Sequence, residues 1–146
     1  MMSFFGSMDT SASGLTAQRL RLDVISQNIA NANTTRTPGG GPYKRKAVIF
    51  ESINNEESFN SILNKYTSSK NNGVRVSKIV EDNAPFPVIY DPTNPDADAK
   101  GYVKQSNVNM VEEMVIMISA CRSYEANVTT FNAMKAMVSK ALEIGK

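Results

Sequence analysis

Apolar residues recur every seven positions near the start of the chain. The residues at this spacing are Met8, Leu15, Leu22 and Ile29, and Ile25 and Ala32 lie three positions after two of them. Heptad-like spacing places one apolar stripe along one side of a helix. It predicts a helix within residues 1–35, with a capping residue among Asp9, Thr10 and Ser11.

A second and longer stripe of the same period runs through residues 107–146. One heptad position carries Met114, Cys121, Val128 and Leu142, and the position three residues later carries Met117, Tyr124, Phe131 and Val138. A helix of about 36 residues is about 54 Å long, more than the width of a compact domain of this size. The spacing therefore predicts an elongated molecule, with Cys121 as a small buried residue on the stripe.

The segment between the stripes, residues 36–106, has a different pattern. A breaker rich in glycine and proline at residues 38–42 is followed by short β-rich runs. These runs are residues 47–50, 73–82, 86–91 and 101–105. Residues 51–72 are polar and predict a loop or mobile insert, with a short helix around Phe59, Ile62 and Leu63.

Together the patterns predict an α+β chain of three parts. An N-terminal helix occupies residues 1–35, a small β-rich module residues 36–106, and a C-terminal helix residues 107–146. Because each apolar stripe needs a partner and the chain offers no other long helix, the two helices are expected to pack as a coiled coil.

Composition argues against catalysis and against nucleic-acid binding. The chain has no histidine and one cysteine, so the commonest general base and the commonest metal ligand are absent. Its 16 basic and 14 acidic residues are mixed along the chain, which is not the footprint of a nucleic-acid protein. We predict no catalytic residue, no cofactor and no metal site. The longest apolar run, residues 114–118, is too short for membrane insertion, and no secretory signal is predicted.

Two alternative sites are weaker than these structural interpretations. Asn94, Asp96 and Asp98 alternate as calcium ligands do, but the residue eleven positions after Asn94 is Gln105, where an EF-hand loop needs glutamate. The pattern favours a stiff turn. The basic run at residues 44–46 favours a solvated strand start over a phosphate site.

Three asparagines, Asn28, Asn31 and Asn33, close the N-terminal stripe. Asparagine competes with the helix for backbone hydrogen bonds, and it also satisfies groups left open at a helix end. Two interpretations stay open: a plain polar helix terminus, or side chains that bond to the backbone of a neighbouring subunit.

Long stretches of the chain resemble a known family. "SGLTAQRLRLDVISQNIANANTTRTPGGGPYKRK" resembles the N-terminal signature of the bacterial flagellar rod and hook proteins, and residues 90–146 are similar to their C-terminal half. The resemblance covers residues 12–50 and 73–146. It implies a structural subunit of the flagellar rod, a shaft in the periplasm whose subunits pack their terminal helices into the wall of a helical tube.

The resemblance also implies partners and a route. Such proteins are made in the cytoplasm, are exported unfolded by the flagellar type III apparatus without a cleaved signal peptide, and assemble with copies of themselves, with proximal and distal rod subunits and with the rod–ring adaptor. The residues expected at the assembly interface are Leu15, Leu22, Ile25, Ile29, Asn28, Asn31, Asn33, Met114, Met117, Cys121, Tyr124, Val128, Phe131 and Val138. The alternative function is a soluble coiled-coil adaptor or export chaperone, which would form a closed oligomer.

Overall fold

The computed structural model describes residues 2–53 and 73–144. Its helices are α1 (Met2–Ala30) and α2 (Met110–Ile144), and its strands are β1 (Lys46–Ser52), β2 (Val74–Glu81), β3 (Val88–Tyr90) and β4 (Tyr102–Lys104). The α+β class, the two terminal helices and the four strands are thus confirmed. The helix expected around Phe59 lies outside the described residues.

Helix α1 begins well before the predicted cap. Thr10 Oγ1 donates to the carbonyl oxygen of Gly6 at 2.9 Å, a bond made inside a continuous helix. Ser11 is buried. The prediction of a cap at residues 9–11 is therefore wrong, because these short polar side chains bond to the preceding turn as readily as to a helix start.

Helix α2 has 35 residues and so a length of about 52 Å. Asn109 caps it: its Oδ1 accepts from the backbone N–H groups of Val111 and Glu112 at 3.1 and 3.4 Å. Two glutamates in the first turn suit the positive end of the helix dipole. Among the described residues, neither helix combines the length and apolar content that a membrane crossing requires.

The strands form two separate pairs. At one end of the β1–β2 pair Asp82 donates its N–H to the Arg45 carbonyl at 2.7 Å, and at the other end Ile53 donates to Gly73 at 2.8 Å. Since residue numbers rise along one strand as they fall along the other, this pair is antiparallel.

The β3–β4 hairpin is also antiparallel and leaves most of its side chains in solvent. Its register pairs Val88 with Lys104, Ile89 with Val103, and Tyr90 with Tyr102. Val103 is the buried residue of the hairpin, and Tyr90 and Tyr102 meet edge to face at 5.4 Å between ring centroids. Gly101, at φ +79°, makes the turn into β4, where a Cβ atom would lie 2.9 Å from the Tyr90 ring.

The described chain divides into two compact units. Among the described residues, the first contains 2–20, 50–53, 73–77 and 120–144, and the second contains 21–49 and 78–119. In the first unit Gly14 of α1 faces Asn127 of α2, where a Cβ on the glycine would lie 3.3 Å from the amide. The second unit holds the β3–β4 hairpin and a buried polar network. The division into three parts at residues 35 and 106, the elongated shape and the coiled-coil packing stay predictions.

The buried apolar residues of the described chain are mostly small. They are Ala17, Val24, Ile25, Ala32, Val103 and Ala120. On α1 the heptad residues Leu15, Leu22 and Ile29 are only half-buried, while Ala17 and Val24, which lie off the stripe, are buried. The face that the helix buries is therefore centred beside the predicted stripe.

Candidate functional site

Asn28 lies in the second unit with 1% of its surface exposed. Its Nδ2 donates to the Lys46 carbonyl at 2.8 Å and to Glu113 Oε2 at 2.9 Å. Its Oδ1 accepts from the Lys46 N–H at 3.0 Å and from the Tyr43 hydroxyl at 3.1 Å. A side-chain amide has two donors and two acceptor positions, so Asn28 is fully satisfied.

Glu113 is the acidic centre of the same network and is also 1% exposed. Its Oε1 accepts from Arg45 Nε at 2.7 Å, and its Oε2 from Asn28. A buried carboxylate is tolerated when it is paired and hydrogen-bonded, and both conditions are met here. Arg45 Nη1 also lies 3.6 Å from Asp82 Oδ2, so one guanidinium joins α2 to the end of β2.

The polar contacts extend from Arg45 to the segment before α2. The Arg45 N–H donates to Asn107 Oδ1 at 2.7 Å. Asn107 Nδ2 donates in turn to the carbonyls of Asp82 and Ala84 at 3.1 and 3.3 Å. The network of Asn28, Tyr43, Arg45, Asn107 and Glu113 therefore connects the end of α1, the start of β1, the end of β2 and the start of α2.

The surroundings of Tyr43 keep its hydroxyl protonated. Burial raises the pKa of Tyr43 above its usual value of 10.0, and the nearby charges of Glu113 and Glu81 raise it further. The hydroxyl is thereby held as the donor that Asn28 Oδ1 requires.

The remaining two asparagines of the cluster have local surroundings. Asn31 Nδ2 donates to the carbonyl of Gln27 at 2.9 Å, and the same carbonyl accepts from the Asn31 backbone N–H at 3.1 Å in the last turn of α1. Asn31 Oδ1 accepts from the Thr34 hydroxyl at 3.2 Å. Asn33 is exposed. The side chain of Asn31 thus bonds to the end of its own helix and the residues that follow, whereas that of Asn28 bonds to distant segments of the chain.

Helix α2 also carries apolar side chains on a face turned away from this network. Val111, Met114, Val115 and Ile118 are 71%, 48%, 62% and 55% exposed. Their spacing of three and four residues places them on one side of the helix. We call these four residues the outward stripe. Since the opposite side contains Glu113 and Ala120, the first part of α2 is apolar where it meets solvent and partly polar where it is buried.

The residues predicted for an assembly interface fall into three classes. Ile25 and Asn28 are buried, and Asn33, Met114 and Cys121 are exposed. The half-buried residues are Leu15, Leu22, Ile29, Asn31, Met117, Tyr124, Val128, Phe131 and Val138. Their role in an interface stays a prediction.

The interpretation of Cys121 as a core residue is wrong for the single chain, in which its thiol is exposed. Ala120, one position earlier, is fully buried. Successive residues of a helix point about 100° apart, so a stripe drawn one position too late places its members in solvent. Met114 is displaced in the same way from Glu113.

The carboxylates of the acidic loop at residues 91–98 make hydrogen bonds and an ion pair with other residues of the chain. Asp96 Oδ2 accepts from the Thr35 hydroxyl at 2.8 Å, and Asp96 Oδ1 lies 3.8 Å from Arg36 Nη1. Asp91 Oδ1 accepts from the N–H and hydroxyl of Thr93. In the part of the chain that the structure describes, no three acidic or thiol side chains group as metal ligands would. The loop thus ties the hairpin to the segment after α1.

The residues that sequence reasoning missed are Tyr43, Arg45, Asn107 and Glu113. Arg45 was part of a basic run expected at a strand start, and β1 does begin at Lys46. One signal was available for Glu113. It precedes Ala120 by seven positions and Met117 by four, so it shares a helix face with apolar residues.

Family models match both ends of the chain. Residues 8–36 match the model described as "Flagella basal body rod protein", and residues 99–144 match "Flagellar basal body rod FlgEFG protein C-terminal". The first match ends inside the loop after α1, and the second covers all of α2.

Curated relatives match along the whole length. The chain is 53% identical to "Flagellar basal-body rod protein FlgC" of Bacillus subtilis (99% of this chain, 100% of the relative). It is 50% identical to the protein of that name in Borreliella burgdorferi (98% of each) and 41% identical to that of Escherichia coli O6:H1 (99% and 100%).

Proposed function

Because this chain belongs to the FlgC family of flagellar basal-body rod proteins, we propose that it assembles through its two terminal helices into a helical tube that transmits torque. The family makes it a structural subunit of the rod and not an enzyme. The helices, and not the β-rich module, are proposed to form the contacts between subunits.

The observation that carries this proposal is the outward stripe of α2. Burying apolar surface is favourable by about 25 cal/mol for every Å² removed from water. A contiguous apolar face left in solvent is expected to be covered by another surface. One side of α2 meets its own chain at Asn28 and Gly14, so a neighbouring subunit is the proposed cover of the other.

The later part of α2 carries further accessible apolar side chains, which are spread around the helix. Cys121, Met137 and Leu142 are exposed as well, and Phe131 and Val138 are half-buried. On α1, Leu20 is exposed, and Leu15, Leu22 and Ile29 keep part of their surface accessible. A tube repeats one contact that does not close on itself, so each subunit needs two different surfaces; the two helices provide them.

The proposed partners are copies of this chain, the other proximal and distal rod subunits, the rod–ring adaptor and the flagellar type III export apparatus. The chain is proposed to be made in the cytoplasm and to function in the periplasmic part of the basal body. Membership of the rod family supports these partners and this location. The adaptor or export-chaperone alternative has no support among the relatives, which carry the name of a rod protein.

The test replaces Val115 or Ile118 by aspartate in the full-length chain. Both side chains are exposed, so the monomer should fold normally, while a charge in an apolar contact between subunits is costly. We expect normal export but no completed rods or hooks on isolated basal bodies and no swimming in soft agar. The matched controls are Ile118→Leu, which keeps the surface apolar, and Lys78→Asp, which changes an exposed charge on β2. Normal swimming of both aspartate variants would show that the outward stripe is not an assembly surface.

The exposed thiol of Cys121 provides an independent measurement. In the free chain a bulky maleimide should label it rapidly. In intact rods the same reagent should react far more slowly, because a neighbouring helix covers the residue. Equal labelling of free chains and intact rods would contradict a contact at this part of α2.

A further inference from the structure

Heptad stripes alone do not define how two helices align. On the buried face of α1, Ala17 and Val24 are both apolar and seven residues apart. When one such stripe slides past another by seven residues, apolar side chains meet apolar side chains again. The apolar surfaces of α1 and α2 therefore admit several alignments of similar contact area.

The polar network is satisfied in one alignment alone. Asn28 makes four hydrogen bonds, two to Lys46 and one each to Tyr43 and Glu113. A shift of α2 by seven residues would bring Ala120 to the place of Glu113 and leave the Asn28 amide one partner short. A buried donor without a partner costs the full free energy of its lost hydration. The Glu113 carboxylate would incur the same cost if it moved away from Asn28 and Arg45.

Buried ionic groups seldom add net stability over apolar residues of similar size. Yet the largest side chains of the described residues that are fully buried are Glu113 and Asn28. Their best-attested use in helical assemblies is to select one alignment.

We propose that Asn28 and Glu113 are positioning residues that set the alignment of α1 against α2. Arg45 and the backbone of Lys46 extend this control to β1, because both are held by the same two side chains. The alignment in turn determines which residues of α2 form the outward stripe. This last consequence rests on the proposed assembly function, whereas the alignment itself does not.

The experiment measures the alignment by disulfide trapping in the purified full-length chain with Cys121→Ser. Gly14→Cys with Asn127→Cys reports the observed alignment, since a Cβ at position 14 lies 3.3–3.4 Å from the Asn127 side chain. Gly14→Cys with Met134→Cys reports a shift of seven residues. Mild oxidation followed by mass spectrometry gives the yield of each cross-link.

In the unaltered network the pair at positions 14 and 127 should dominate. Asn28→Leu combined with Glu113→Leu should raise the ratio of shifted to observed cross-link about tenfold, because the penalty for shifting is removed. Glu113→Gln keeps the size and the acceptor oxygen, so it should retain most of the original ratio. Ile25→Val weakens the apolar contact without touching the network, and it should leave the ratio unchanged.

An unchanged ratio in the double leucine variant would overturn the proposal. An equal rise of the cross-link ratio in Ile25→Val would overturn the proposal too. The rise would then depend on the stability of the fold and not on the polar contacts. If circular dichroism shows that the double variant does not fold, Asn28→Ala takes its place with the same expected rise and the same refuting result. The assay uses unassembled chains, so its outcome is separate from the outcome of the motility test.

Discussion

The buried and the exposed face of α2 differ in polarity, and the difference is the opposite of the usual one. The face turned into the chain carries Glu113 and Ala120, of which the first is charged and both are buried. The face turned to solvent carries Val111, Val115 and Ile118, all more than half exposed. A surface helix of a monomeric protein normally shows the reverse, with its apolar side chains inside and its charges in water.

The contrast separates two physical tasks. Hydrogen bonds depend on distance and angle, so the polar inner face restricts which residues lie opposite each other. Apolar contact is non-directional and roughly proportional to area, so the outer face suits attachment to another surface. A chain with this division holds its own segments together by directional hydrogen bonds, and we propose that its exposed apolar face contacts neighbouring subunits of the rod.

The largest loss of stability is expected when Glu113 on the buried face of α2 is replaced. Glu113→Ala leaves Asn28 short of a partner and Arg45 without its closest carboxylate, and we expect a loss of about 3 kcal/mol in the free energy of unfolding. Urea denaturation followed by circular dichroism measures it. Glu112→Ala, at an exposed position of the same turn, is the control and should cost less than about 1 kcal/mol. Equal losses of stability in the two variants would show that the buried glutamate contributes no more to folding than the exposed one.

A smaller loss is expected where the inner face is tightly packed. Ala120 is fully buried, and Ala120→Leu adds volume for which the structure has no room. Overpacking of this kind costs about 1–3 kcal/mol. Ala126→Leu, at an exposed position of the same helix, should change stability by less than about 0.5 kcal/mol in the same denaturation experiment. An Ala120→Leu variant as stable as its control would show that this face of α2 is loosely packed.

Tyr43→Phe tests the network with a smaller change and a dependence on pH. At neutral pH the variant loses one hydrogen bond to Asn28, worth about 1 kcal/mol. The folded state raises the pKa of Tyr43 above 10.0, so its contribution is fully present below pH 10 and is lost as the pH rises through the higher folded value. The difference in stability between parent and variant should therefore shrink above pH 10. A difference that is constant into alkaline solution would contradict the role assigned to the hydroxyl.

The smallest effect is expected on the outer face. Val115→Ser should change the free energy of unfolding of the monomer by less than about 0.5 kcal/mol, because the side chain is already 62% exposed. The same change should lower the tendency of the purified chain to self-associate, as measured by sedimentation. A loss of several kcal/mol would show that Val115 is packed against its own chain.

Periodicity was sufficient to predict the elements. Both helices follow from the seven-residue spacing, and the strands follow from runs such as residues 73–82, within which β2 lies at Val74–Glu81. The predicted face of α2 was less accurate, because the stripe starts at Met114, one position and about 100° away from the buried Glu113. The seven-residue spacing places Cys121 and Leu142 on the stripe, yet both are exposed, and it omits Glu113, which is buried.

The network was beyond the reach of sequence patterns for a different reason. Asn28, Arg45 and Glu113 come from a helix end, a strand start and a second helix, and their meeting depends on the tertiary fold. Asn28 was singled out for its poor helix propensity, which is a local property. Its full set of partners became evident only with the segments in place, and the same holds for the pairing of Thr35 with Asp96.

The bond between Asn28 and Glu113 also has a consequence for the order of events in folding. It joins residues 85 positions apart, and the bond between Arg45 and Glu113 joins residues 68 apart. Contacts of such long range form slowly, because closing a long loop costs entropy before any contact rewards it. In a chain that is synthesised from its N-terminus, Asn28 and Arg45 are both present before Glu113 is added. Until then Asn28 lacks one of its hydrogen-bond partners and Arg45 lacks its closest carboxylate, so the network cannot be complete before the C-terminal part of the chain is present.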